Sequence, residues 1–128
     1  MSEMEATART LEALYAAGHR LAGQDRHRDA LSLFHAMLLV DPRDERGWLA
    51  LASCHQELDE PEKAIALCEL ASSACEGKAL RCAVALARLH KARGADDEAA
   101  AAYEGAARVA ELLDEPEMAA LIAQEAAS

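Results

Sequence analysis

The most constraining feature of this chain is that it repeats itself. The segment A-L-S-L-F-H-A-M-L-L-V-D-P, starting at Ala30, aligns with A-I-A-L-C-E-L-A-S-S-A-C-E, starting at Ala64, at an offset of 34 residues. The residues before it keep the same offset: Leu14 falls on Trp48, Ala17 on Leu51, Gly18 on Ala52, Leu21 on His55 and Asp25 on Asp59. A third copy follows at an offset of 35, placing Ala83, Leu86, Ala87, His90, Gly94, Ala99, Tyr103 and Ala106 on the same grid. The extra residue falls in the loop around Glu76, Gly77 and Lys78. A fixed period of this length implies one supersecondary unit that buries its apolar face only by stacking on its neighbours.

Each unit reads as two amphipathic helices joined by a tight turn. Leu11, Leu14, Ala17 and Leu21 recur at close to the spacing of one helical face, as do Ala30, Leu33, Phe34, Met37 and Leu38 in the partner helix. Asp59 before Pro61 signals a helix start, because proline is tolerated in the first turn, where its missing N–H costs nothing. Gly94 supplies the permissive backbone that ends one helix before Asp96 and Asp97 begin the next. The stretch L-D-E-P-E-M-A-A-L-I-A-Q-E-A-A repeats this grammar without a partner helix. It is expected to cap the stack, with Met118, Leu121 and Ile122 inward and Glu117, Gln124 and Glu125 outward. Ser2 to Thr10 is expected to form a short helix. Trp48, the only tryptophan, takes the bulky position held by Leu14 one period earlier. It is expected to act as a wedge between helices.

Composition agrees with an all-α fold. Alanine and leucine dominate a hydrophobic content of 52%, while aromatics make up only 3%, which favours helices over strands. The 128 residues suffice for a single domain. Its boundaries are expected at 1–128, with repeats at about 11–44, 45–78 and 80–113 and a capping helix at about 115–127. The net charge is −10, and from Asp96 to Ser128 nine acidic residues stand against Arg108 alone. Such a chain repels phosphate backbones and anionic headgroups, which argues against nucleic-acid and membrane partners. No run approaches the ~18 apolar residues of a membrane span, and the N-terminus lacks a basic start and apolar centre. A cytoplasmic protein is expected, with Cys54, Cys68, Cys75 and Cys82 as reduced, structural thiols and no C-x-x-C pair to suggest zinc. The five histidines are scattered, and there is no phosphate loop, H-E-x-x-H motif or nucleophile elbow. The expectation is therefore a non-enzyme without metal or cofactor.

The period and the residues Leu14, Gly18, Leu21, Ala30, Phe34 and Pro42 resemble the tetratricopeptide repeat. Trp48, Leu51, Ala52, Ala64 and Ala71 match in the second copy, and Leu86, Ala87, Gly94, Ala99, Tyr103 and Ala106 more loosely in the third. The resemblance implies three helix-turn-helix repeats in a right-handed superhelix plus a C-terminal capping helix. Small residues at positions 18, 52 and 87, and alanines at 30, 64 and 99, would let the helices approach closely. The order Leu14-Tyr15, Asp29-Ala30, Phe34, Ala36, Val40-Asp41, Asp44, Arg46, Cys54-His55-Gln56 and Ala64-Ile65 is further similar to the translocator chaperones of type III secretion. That resemblance implies an extended peptide partner, such as a secreted translocator segment held against aggregation, and it admits a homodimer.

In that architecture the first helices line a groove. Its inward positions would be Glu12, Tyr15, His19 and Ala22, then Arg46, Leu49, Ser53 and Gln56, then Arg81, Val84, Arg88 and Lys91. Ser53 and Gln56 would hold the peptide main chain, while Tyr15, His19 and Leu49 would select side chains. Arg81, Arg88 and Lys91 would form a basic groove end that favours acidic residues flanking an apolar anchor. The alternative is a general repeat scaffold that docks a folded partner or a second copy of itself. A clamp for a C-terminal carboxylate is disfavoured, since the chain contains no asparagine.

Overall fold

The computed structural model describes residues 1–128 and contains seven helices and no strand. They are α1 (Glu3–Gly23), α2 (His27–Val40), α3 (Glu45–Glu57), α4 (Pro61–Ala74), α5 (Leu80–Ala92), α6 (Asp96–Leu112) and α7 (Pro116–Ala127). Consecutive helices pack on one another, and α1 also touches α3 as α3 touches α5. The first helices of successive units therefore stand side by side. No helix is long and apolar enough to cross a membrane.

One hydrogen-bonded turn recurs after α1, α3, α5 and α6, and again after α4, where Gly77 donates its N–H to the Ser72 carbonyl at 2.7 Å behind Glu76 at φ 57°. Arg26 donates its backbone N–H to the Leu21 carbonyl at 2.9 Å, Glu60 to His55 at 2.8 Å, Ala95 to His90 at 3.0 Å and Glu115 to Ala110 at 2.9 Å. The residue before each donor has positive φ: Asp25 at 61°, Asp59 at 58°, Gly94 at 71° and Asp114 at 53°. This closes the helix with a left-handed residue, a position suited to glycine and tolerated by a short polar side chain. Asp59 thus ends α3 rather than starting α4. The inserted residue between the second and third copies sits where Glu76 and Gly77 both take positive φ.

Two ends differ from expectation. Residues before Leu11 are helical but not as a short element: they are the first turns of a continuous α1, capped by the Ser2 hydroxyl, which accepts from the Glu5 N–H at 3.1 Å. In α7 only Ile122 is fully buried, while Leu121 is 40% exposed and Glu125 turns inward toward α5 and α6. α7 packs chiefly on α6 through the seam that buries Ile122, and Leu121 lies off that seam.

The core forms three clusters. Leu11, Ala30, Phe34, Met37, Leu51 and Cys54 fill the first, Ala52, Ala64, Ile65, Cys68, Ala71, Cys75 and Cys82 belong to the second, and Leu80, Val84, Ala87, Tyr103, Ala106, Ala110 and Ile122 make the third. At Gly18 a Cβ would meet the Phe34 ring at 2.5 Å, so the absence of a side chain is what lets α1 lie against α2. Trp48 is half-buried on the second cluster, and its indole N–H donates to the Pro42 carbonyl at 2.7 Å, tying α3 to the turn before it. All four cysteines are buried and free, and burial holds the Cys54 and Cys75 thiols above the ordinary value.

At the start of α4, Glu60 collects charge from two repeats. Its carboxylate lies 3.0 Å from His55 Nδ1, 3.2 Å from Lys63 Nζ and 3.4 Å from Arg28 Nη2. The hydrogen bond from His55, then that from Lys63, holds the Glu60 carboxyl at about 2, against an ordinary 4.5. A carboxyl depressed in the folded state stabilises above its unfolded value and loses that contribution as pH falls through the folded one. Urea midpoints should therefore fall between pH 4.5 and about 2 in the wild type. The fall should be shallower in Glu60→Gln, and parallel curves would show that this cluster does not link folding to pH.

Candidate functional site

A cavity of about 550 Å³ opens between α1 and α3. From α1 it takes Tyr15, His19, Ala22 and Gly23, from α3 Glu45, Arg46, Leu49, Ala50, Ser53, Cys54 and Glu57, from α2 His27 and Phe34, and from α5 Arg81. Its apolar part exists because the same helical face that packs the first core cluster continues to the surface: Phe34 is 2% exposed, whereas Tyr15 and Leu49 are half-buried.

Around Tyr15 the wall is fixed by stacking and charge. Its ring stacks on His19 with centroids 5.8 Å apart and tilts against Phe34 at 6.3 Å, and the Arg46 guanidinium lies 5.0 Å from its centroid. Arg46 donates to Asp44 at 2.9 Å and to Glu12 at 2.7 Å, so two carboxylates and an aromatic face hold it in place. The hydrogen bond from Arg46 pulls the Asp44 carboxyl below its ordinary value. Asp44 also accepts the Arg46 backbone N–H at 3.1 Å and so caps α3. Glu45 sits deeper, and burial pushes its carboxyl up while it accepts from the Cys82 N–H at 3.4 Å.

Of the twelve residues assigned to the groove from sequence, Tyr15, His19, Ala22, Arg46, Leu49, Ser53 and Arg81 line this cavity. Glu12 is exposed beside it and serves as the partner of Arg46. Gln56 is exposed but does not line it. Val84 is a correction: at 3% exposure it is a core residue, in the same cluster as Tyr103 and Ile122. Its position on the inward series of α5 is covered instead by apolar residues of α6 and α7. Arg88 and Lys91 do not form a free basic end either. Arg88 Nε donates to Glu125 Oε2 at 3.0 Å, its Nη2 to Glu125 Oε1, and Lys91 Nζ to the Glu125 carbonyl at 3.1 Å.

The sequence reading missed Glu45, Glu57, His27 and Phe34 as wall residues. His27 and Phe34 come from a second helix, which the first-helix rule leaves out. The acidic pair leaves the cavity with carboxylates as well as guanidinium groups, so its charge is largely compensated from within. A second cavity of about 590 Å³ lies between α4, α5 and α6 and is walled by small and aliphatic residues such as Ala83, Leu86, Val109 and Leu112 with His90, Glu98 and Arg108, and by no phenylalanine, tyrosine or tryptophan. The cavity at Tyr15 is the better binding candidate, because aromatic and aliphatic walls there converge with a few fixed polar groups.

The tetratricopeptide repeat family matches residues 21–74. No curated protein sequence matches the chain. Among solved structures, PcrH from Pseudomonas aeruginosa is 26% identical, with a TM-score of 0.77 over 98% of this chain and 92% of that one. PcrH in complex with the chaperone binding region of PopD is also 26% identical, with a TM-score of 0.76 over 93% and 90%. The type III secretion translocator chaperone SycD of Yersinia enterocolitica, 22% identical, shares the fold with a TM-score of 0.74 over 93% of this chain and 82% of that one. The repeat period, the paired helices and these likenesses agree on the fold: the helices stack as in tetratricopeptide repeats, the repeat family matches the segment from α1 to α4, and the chain is similar to PcrH over nearly its whole length.

Proposed function

We propose that this protein is a non-catalytic, cytoplasmic chaperone that holds an extended segment of a partner protein, of the kind represented by secreted translocators. The observation that carries this reading is the cavity between α1 and α3, where Tyr15, Phe34 and Leu49 offer an apolar floor beside fixed polar groups. An extended segment could seat an apolar anchor there, while the Ser53 hydroxyl and Arg81 offer bonds to its main chain. PcrH, similar over nearly the whole chain, has been captured with the chaperone binding region of PopD. That supports the same class of ligand here. The chain's net charge of −10 works against nucleic acid and anionic membranes as partners.

Calorimetry with extended peptides drawn from translocator-like proteins, each carrying an apolar anchor, tests the reading. Tyr15→Ala removes the ring that stacks on His19 and faces Arg46. Its expected effect is a rise in Kd of about tenfold, the scale of one aromatic anchor, with the thermal transition retained. Wild-type affinity in Tyr15→Ala, or no binding by any such peptide, would end the proposal.

A further inference from the structure

Arg88, Lys91 and Tyr103 already hold a carboxylate, and it belongs to the chain itself. Glu125 accepts two hydrogen bonds from Arg88 and one from the Tyr103 hydroxyl at 3.2 Å, and Lys91 adds a bond to its carbonyl. Tyr103 is only 4% exposed, so its hydroxyl is a fixed donor, and Lys91 Nζ lies 6.0 Å from its ring centroid. The bond from Arg88 holds the Glu125 carboxyl below its ordinary value, so it sits there ionised.

The arrangement is built for a carboxylate yet holds this one weakly. The Arg88 side chain is 55% exposed, and an ion pair so open to water contributes little. α7 anchors itself through Ile122 alone as a fully buried residue. Beside Glu125 an open cavity of about 370 Å³, walled by Arg88, Lys91, Ala92 and Tyr103, leaves room for a second group. Arg88 and Lys91 belong to α5, as does Arg81, which reaches the binding cavity at Tyr15.

We propose that Arg88, Lys91 and Tyr103 form a carboxylate subsite of the peptide groove and that Glu125 is its exchangeable resident. A client segment with an acidic side chain beyond its apolar anchor takes the place of Glu125 and releases the end of α7. The inference rests on the peptide-holding function proposed above. Because Glu125 is tethered, it competes as an internal ligand, and its removal frees the subsite for the client. For a latch of exposed ion-pair strength, removal raises affinity for an acidic client about two- to sixfold.

The test uses two peptides that share an apolar anchor and differ only in one flanking residue, glutamate or glutamine. Calorimetry on wild type, Glu125→Gln and Arg88→Gln gives the affinity ratio of the two. The ratio should favour the glutamate peptide in wild type, rise about two- to sixfold in Glu125→Gln, and fall to unity in Arg88→Gln. Hydrogen exchange over residues 120–128 should quicken with the glutamate peptide and not with the other. Equal affinities in wild type and Glu125→Gln, with unchanged exchange, overturn the subsite while leaving peptide binding in place. If the glutamine peptide binds neither wild type nor variants, or binds Tyr15→Ala as tightly as wild type, the groove function fails and the subsite with it.

Discussion

Phe34→Ala is expected to lower stability by about 3–5 kcal/mol, the scale for emptying a buried aromatic site. Phe34 is 2% exposed and sits at the meeting point of α1 and α2, under Gly18 and against Tyr15. A domain of this kind has about 5–15 kcal/mol in total, so this one ring decides much of the first repeat's stability. Gly18→Ala presses from the other side. Its Cβ would stand 2.5 Å from the ring, so overpacking opposes the gain of about 1 kcal/mol in helix propensity. In the double variant the new methyl enters the space that the ring vacates, so the two losses should add to less than their sum. Urea denaturation of the four proteins provides the cycle, with midpoints falling at unchanged slope. A loss below about 1 kcal/mol for Phe34→Ala, or strict additivity, would show that this contact does not hold the repeat together.

That contact also shows why the fold was legible in the sequence. Gly18 and Phe34 belong to different helices, yet both fall on repeat positions, and the repeat carries the pairing rule with it. The same is true of Ala52 and Ala64, which are 3% and 0% exposed in one cluster. The turns were legible in part. Gly94 announced itself, whereas Asp25, Asp59 and Asp114 adopt the same left-handed backbone behind a residue that also suits a helix start. What stayed hidden was contact between units that no period governs. The Arg88–Glu125 pair joins residues 37 apart through the helix that lacks a repeat partner, and with the Lys91 bond to the Glu125 carbonyl it leaves neither basic side chain free. Val84 was misplaced for the same reason, since its repeat position faces a groove only where no further helix covers it. His27 and Phe34 belong to the cavity wall from α2, which packs against both α1 and α3 and so backs the space between them.

Leu49→Asp is expected to raise the peptide Kd by about 30- to 100-fold, more than any truncation in the same wall. Leu49 packs partly on the second core cluster and partly lines the cavity, so its substitution acts on both surfaces. Loss of apolar area alone, as in Leu49→Ala, should cost about fivefold to tenfold. The carboxylate adds a second penalty. Glu45 and Glu57 already line this cavity, and burial already pushes the Glu45 carboxyl up. A third acidic group in the wall would have to stay hydrated while an apolar anchor tries to displace its water. Binding therefore suffers more from the charge than from the missing methyl groups. Stability should fall far less than affinity, because the new side chain can turn toward the open cavity in the free protein. Leu39→Asp is the control: Leu39 is 88% exposed and lies outside the cavity, so the same change of charge there should leave Kd at the wild-type value. If Leu49→Asp binds no worse than Leu49→Ala, the anchor does not reach α3. If Leu39→Asp weakens binding as much, the effect is the protein's overall charge and not the wall. The combination of a large loss at Leu49, a small one for alanine and none at Leu39 is what an apolar anchor seated between Tyr15 and α3 requires.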